Sequence, residues 1–168
     1  GLPSRAGCGL RSGHHGRPRG FLLARDARAR ALKFQPVLDL GTGWGVLAVG
    51  ASKIFRTRIL ATDCNRVAVK TAGSKARLNR AAPFVSFVHA TGTKAPAIQA
   101  RAPYDLIFAN ILLGPLLRLA VPLSRLAAPN ARVVLSGLLP SHANAVLATS
   151  PAQGRTRVRP VLLQGGAA

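Results

Sequence analysis

Along most of this chain the hydrophobic positions switch repeatedly between two patterns. Short continuous apolar runs, the mark of buried strands, are separated by stretches in which apolar residues recur every three or four positions, the mark of helices. The runs predict strands at 36–40, 58–62, 84–88, 104–109, 132–136 and about 157–163. The helical spacing predicts helices at 45–55, 66–80, 113–128 and 141–149, with Pro122 as a kink and Ser141 as an N-cap. In 66–80 the apolar face is Val67, Ala68, Ala72, Ala76 and Leu78, and Gly73 is its weak point. A further helix is expected at 18–33, opened by Pro18. Residues 90–103 read as irregular and Pro129-Asn130 as a turn. Strands that alternate with helices in this way form a parallel sheet with helices on both faces, an α/β fold. Residues 1–16, with glycines at 7, 9, 13 and 16, read as a loop, which leaves 17–168 as one domain.

The first strand runs into an unusual loop. Val37-Leu38-Asp39-Leu40 is followed by Gly41-Thr42-Gly43-Trp44-Gly45 and then by the small-residue helix. Strand, glycine loop and helix form the first unit of a nucleotide-binding α/β sheet. The dinucleotide fingerprint G-x-G-x-x-G requires glycine at position 46, but Val46 stands there and the third glycine comes one residue early. Asp39 lies two residues before the first glycine, where a carboxylate repels a pyrophosphate but attracts an ammonium or sulfonium. Asp63, 22 residues after Gly41, closes the second strand, where an acid is the expected partner of ribose hydroxyls. A cationic head joined to a ribose points to S-adenosylmethionine. The same loop would also serve as a plain strand-to-helix turn; the two acids favour the ligand.

Composition changes this picture in one respect. The chain has 24 Lys and Arg against four acids, a net charge of +20. Such a field attracts nucleic acid without reading its sequence. The basic residues are scattered, however, and one Trp, one Tyr and six Phe are few for a base-stacking platform. Compositional drift toward arginine is an equal explanation. No apolar run reaches the ~18 residues of a membrane span. The two cysteines, Cys8 and Cys64, show neither metal spacing nor a disulfide framework, which fits a reducing cytoplasm. No serine sits in a nucleophile-elbow context.

Several segments carry a resemblance. Gly13-His14-His15, Val37 to Gly43, Ala61-Thr62-Asp63, Ala76-Arg77-Leu78-Asn79, Tyr104 to Leu112 and Leu135-Ser136-Gly137-Leu138-Leu139 occur in that order. Together they resemble the methyltransferase domain of the bacterial ribosomal protein L11 methyltransferase family, from about Gly7 to about Leu163. The glycine loop marks only the wider class of S-adenosylmethionine-dependent enzymes. The Phe108-Ala109-Asn110-Ile111-Leu112 segment with the upstream Gly-His-His is much more specific.

The resemblance implies a Rossmann-like methyltransferase fold, S-adenosyl-L-methionine as cofactor, and a lysine of a large-subunit ribosomal protein as methyl acceptor, in the cytoplasm and away from membranes. It implies that Gly41 and Gly43 line the methionine end of the cofactor and that Asp63 accepts from the ribose hydroxyls. Asn110 then faces the methyl group and the incoming amine. Methyl transfer from a sulfonium is mostly a matter of positioning, so no elaborate acid–base set is needed.

The chain departs from the family pattern at several points. Pro18 replaces a threonine that contacts the cofactor, Asn65 replaces a second acid, and Trp44 stands where a small residue is usual and is expected to crowd the loop. The family's preceding substrate-recognition domain and its closing last strand are expected to be absent. Cofactor binding is therefore expected to be weak, and methylation by this chain alone negligible. The rival readings are a non-catalytic basic module that binds ribosomal RNA and a methyltransferase of the same fold with another substrate.

Overall fold

The computed structural model describes residues 33–135. The expected loop at 1–16, helix at 141–149 and strand near 157–163 lie outside the described residues, as does all of the helix at 18–33 except its last residue. Within them the chain alternates throughout. The strands are β1 (Val37–Leu40), β2 (Ile59–Asp63), β3 (Val85–His89), β4 (Tyr104–Ala109) and β5 (Ala127–Leu135). Between them run α1 (Val46–Phe55), α2 (Arg66–Leu78), α3 (Pro96–Gln99) and α4 (Leu113–Leu126).

All neighbouring strands pair in parallel, in the order β3-β2-β1-β4-β5. β1 is the central strand and is buried along its whole length. In register, Leu38 lies beside Leu60 and Ile107, and Val37 beside Ile59 and Leu106. Because side chains alternate across a strand, these two rows face opposite layers. The Leu38 row packs with Ile98 of α3 and Leu116, Leu123 and Leu126 of α4. The Val37 row packs with Ala48 and Ala51 of α1 and with Phe34. A strand buried on both faces must read as a continuous apolar run, and this is why Val37-Leu38-Asp39-Leu40 lacks the alternation of a half-exposed strand.

α2 begins where the Asn65 side chain accepts from the N–H groups of Val67 and Ala68, at 2.8 and 3.3 Å. That cap satisfies two of the helix's free donors. Ala68, Ala72 and Ala76 form its buried stripe. Val67 and Leu78, expected on that stripe, are instead 71% and 84% exposed. Each is offset by one or more positions from the 68-72-76 line, and only alanine is small enough for the close approach to β3. The helix continues through Gly73.

Two other expectations need correction. Residues 90–103 contain the single-turn helix α3, whose Ile98 is fully buried. β5 begins at Ala127 rather than Arg132, and the Pro129-Asn130 turn lies inside it. Ala127 pairs with Tyr104, the register then shifts, and pairing resumes at Arg132 with Leu106. Proline has no N–H for the ladder, and Asn130 turns left-handed at φ 64, so the chain bulges at this point. Elsewhere strand bounds fall within one residue of expectation.

Candidate functional site

The carboxyl ends of β1, β2 and β4 converge on the glycine loop. Three glycines at alternate positions hold the left-handed backbone that side chains disfavour, with φ of 75° at Gly41, 54° at Gly43 and 77° at Gly45. The N–H groups of Gly41 and Thr42 both donate to the Thr62 carbonyl at 2.9 Å, which ties the start of the loop to β2. Gly45 caps α1 and packs tightly. A Cβ there would lie 2.9 Å from the Ala72 Cβ and 3.0 Å from the Phe87 ring. A Cβ on Gly43, by contrast, would meet nothing within 4 Å beyond its chain neighbours. The loop is thus anchored at both ends and has room at its middle glycine.

Asp63 closes β2 beside that opening. One carboxylate oxygen accepts from the Gly43 N–H and the other from the Asn65 N–H, each at 2.8 Å. A carboxylate oxygen has two lone-pair directions, so each retains capacity for a further donor. Asp63 is part-buried, with a face toward solvent.

Asn110 follows β4 and is exposed. Its N–H donates to the Leu40 carbonyl at 3.1 Å, which places it beside Gly41. The two are so close that a Cβ on Gly41 would stand 2.9 Å from the Asn110 carbonyl oxygen and 2.5 Å from the Ile111 side chain. β1 and β4 are the neighbours between which the strand order reverses direction, the point where open α/β sheets bind ligands. The structure therefore brings Gly41, Gly43, Asp63 and Asn110, the four residues singled out from sequence, around one mouth.

Asp39 lies beneath that mouth. It is fully buried; Thr42 Oγ1 donates to one carboxylate oxygen at 2.7 Å, and the other oxygen has no partner. Burial raises its pKa from 3.8 to about 6; the Thr42 hydroxyl opposes the rise, the Asp63 charge adds to it, and the Ala48 N–H opposes it. Between pH ~4 and ~6 the folded protein thus holds a proton here that the unfolded chain has released. The contribution of Asp39 to stability is fully present below that window and is lost as pH rises through it, about 3 kcal/mol for a shift of about two units. Urea unfolding at pH 4 and pH 7 measures this loss. In Asp39→Asn the difference is expected to shrink by that amount; an unchanged difference would assign the pH dependence elsewhere.

Sequence reading missed three features. The Thr62 carbonyl serves as a double acceptor, which no side-chain pattern reveals. Asn65 caps α2, although Asn directly before a helix was a usable signal. Trp44 does not sit buried in the tight turn: its ring is 47% exposed, with the Lys75 ammonium of α2 4.1 Å from its centre. Cys64 lies next to Asp63 at the carboxyl end of β2; the other cysteine, Cys8, lies outside the described residues.

The residues present suit an adenosyl sulfonium compound. Open space at Gly43 admits close approach, Asp63 has spare acceptor capacity for a diol, and a carboxylate below the loop favours a cation. The ribosomal protein L11 methyltransferase family model matches residues 6–161. The chain belongs to the ribosomal protein L11 methyltransferase family. It is 45% identical over 165 residues to the ribosomal protein L11 methyltransferase of Rhodopseudomonas palustris, covering 98% of this chain and 56% of that one. The relative from Bradyrhizobium diazoefficiens is 44% identical over 154 residues, covering 92% of this chain and 52% of that one. The chain thus spans about half the length of these curated relatives. The crystal structure of ribosomal protein L11 methylase from Lactobacillus delbrueckii subsp. bulgaricus superposes with a TM-score of 0.66 at 27% identity, covering 77% of this chain and 64% of that one. For this member of the ribosomal protein L11 methyltransferase family, the expected Rossmann-like fold is what the five-stranded parallel sheet shows.

Among the described residues no helix is long and apolar enough to cross a membrane, and no three His, Cys, Asp or Glu residues group as a metal site.

Proposed function

We propose that this chain holds the methyl-transfer site of a ribosomal protein L11 methyltransferase, binding S-adenosyl-L-methionine and directing its methyl group to a lysine amine of the ribosomal protein. The observation that carries this reading is the meeting of Gly41, Gly43, Asp63 and Asn110 at the switch point of the sheet, in a chain of this family. When bound, the cofactor supplies an electrophilic methyl on a sulfonium. Gly41 and Gly43 line its methionine end with backbone, and Asp63 accepts from its ribose hydroxyls. The Asn110 carboxamide oxygen accepts from the substrate amine and points its lone pair at the methyl carbon. Asn suits this task because its oxygen orients an amine without holding an ammonium as a carboxylate would. The amine gains the methyl and releases one proton to solvent, to which Asn110 is exposed. A ribosomal substrate implies a cytoplasmic site of action.

Methyl transfer depends on how the acceptor amine is held, since positioning contributes up to about 7–11 kcal/mol. The test has two parts. Calorimetric titration with S-adenosyl-L-methionine is expected to show saturable one-to-one binding. Labelled methyl transfer to purified L11 is expected to vanish in Asn110→Ala, while that variant still binds cofactor. Absence of binding overturns the reading; transfer that survives in Asn110→Ala removes Asn110 from the site.

A further inference from the structure

The amino end of the sheet, opposite the cofactor mouth, carries chemistry that methyl transfer does not use. A cavity of about 300 Å³ opens there, lined among others by Pro36, Arg58, Pro83, Phe84, Ser86 and Arg101. Its position follows from the register. Val37, Ile59 and Val85 lie side by side, so the residues just before them, Pro36, Arg58 and Phe84, form a row along the strand starts. α1 and α2 run back to the same end and finish at Arg56 and at Arg77 with Arg80. Those three arginines, and Arg58 and Arg101 at the cavity, are all exposed. Asp105 is the acid that the described residues place at this end, and one of its oxygens is already engaged by the Gln35 N–H at 2.9 Å. Asp39 and Asp63 stand at the other end of their strands.

We propose that this end of the sheet binds single-stranded RNA, with phosphates on Arg58, Arg101 and the flanking arginines and one base stacked on Phe84 in the cavity. Guanidinium groups match phosphate oxygens in paired hydrogen bonds. Aromatic rings hold unstacked bases of any identity. Phe84 is 47% exposed, so its ring is accessible to a base that enters the cavity. The cavity is of the size of small-ligand pockets, enough for a single base. An acidic peptide would use the arginines but not the ring. A membrane surface would need apolar residues projecting at the rim, where arginines stand instead. Arg56 and Arg77 also offset the dipoles of the helices they end. Arg58 lies outside any helix and Arg101 follows only the single-turn α3, so these two report on binding most cleanly.

The test is fluorescence anisotropy of the full chain with a short labelled oligouridylate across a salt series. Arg58→Gln with Arg101→Gln is expected to weaken binding at least tenfold and to lower the salt slope by about 1.4, the release expected for two cations on a single strand. Phe84→Ala is expected to weaken it at least about fivefold with the slope unchanged, while Phe84→Tyr, which keeps a ring, retains affinity. Lys70→Gln with Arg118→Gln removes the same charge from exposed positions nearer the other end of α2 and α4, and is expected to cost far less. Equal losses in both double variants would reduce the effect to bulk charge and overturn the proposal. So would a Phe84→Tyr loss as large as that of Phe84→Ala, or displacement of the RNA by polyglutamate at matched charge.

Discussion

Gly41→Ala is expected to lower stability by about 2–5 kcal/mol and to displace the Asn110 loop. Two separate costs act at this position. Gly41 stands at φ 75°, where a Cβ strains the backbone by roughly 1–2 kcal/mol. The new methyl would also lie 2.5 Å from the Ile111 Cγ2 and 2.9 Å from the Asn110 carbonyl oxygen, distances that force something to move. Overpacking of this kind typically costs about 1–3 kcal/mol. The Ile111 side chain can rotate, but the Asn110 carbonyl is backbone and can withdraw only by stretching the 3.1 Å bond from the Asn110 N–H to Leu40. The substitution therefore acts on the site as well as on the fold. Gly43→Ala is the comparison: it carries similar left-handed strain at φ 54° but meets nothing within 4 Å, so it should cost only the strain. Urea unfolding of the two variants reads the difference. Equal losses would show that the Asn110 carbonyl does not press on Gly41.

The contrast between these glycines also shows what the sequence could and could not reveal. Alternate glycines after a strand announced the strand-to-helix loop, and the acid 22 residues on was expected to meet a ribose; that it also holds the Gly43 N–H was not foreseen. Hydrophobic runs located β1, β2 and β4 because strands covered on both faces leave little room for polar residues; the edge strand β3 exposes Ser86 and His89. What remained hidden depends on contacts between distant segments. Nothing local tells that Gly41 is confined by Asn110 and Ile111, nor that Gly45 is confined by Ala72 and Phe87. Nothing local places the Trp44 ring under Lys75; a large residue in a tight loop was expected to crowd it. The exposure of Val67 and Leu78 was missed for the opposite reason. Helical periodicity was right, but the buried stripe is narrower than the apolar one, because close helix–sheet contact selects alanine. The start of β5 was missed because Pro129-Asn130 signals a turn, and only the pairing of Ala127 with Tyr104 across a bulge extends the strand beyond it.

The largest effect on the cofactor is expected from Asp63→Ala, which should weaken S-adenosyl-L-methionine binding by well over tenfold. In the folded chain this carboxylate already does one task, holding the N–H groups of Gly43 and Asn65 at 2.8 Å each. The first of these bonds fixes the middle of the glycine loop to β2, and the second fixes the entry to α2. Charge-assisted bonds of this kind contribute about 1.5–3 kcal/mol each. Removing them frees the middle of the loop, where a Cβ on Gly43 would meet nothing within 4 Å beyond its chain neighbours. Cofactor binding would then have to order the loop as well as do without its ribose acceptor. Asp63→Asn separates the two tasks. Its amide oxygen can still accept from one of the N–H groups, but its NH2 turns a donor toward the other, so the loop is only half held. Calorimetric titration of the wild type and both variants, beside their unfolding midpoints, distinguishes anchoring from direct contact. If Asp63 acts only as an anchor, affinity and stability fall together across the pair. If it also meets the ribose, affinity in both variants falls further than the loss of stability accounts for. Unchanged affinity in Asp63→Ala would remove the carboxylate from the cofactor site altogether.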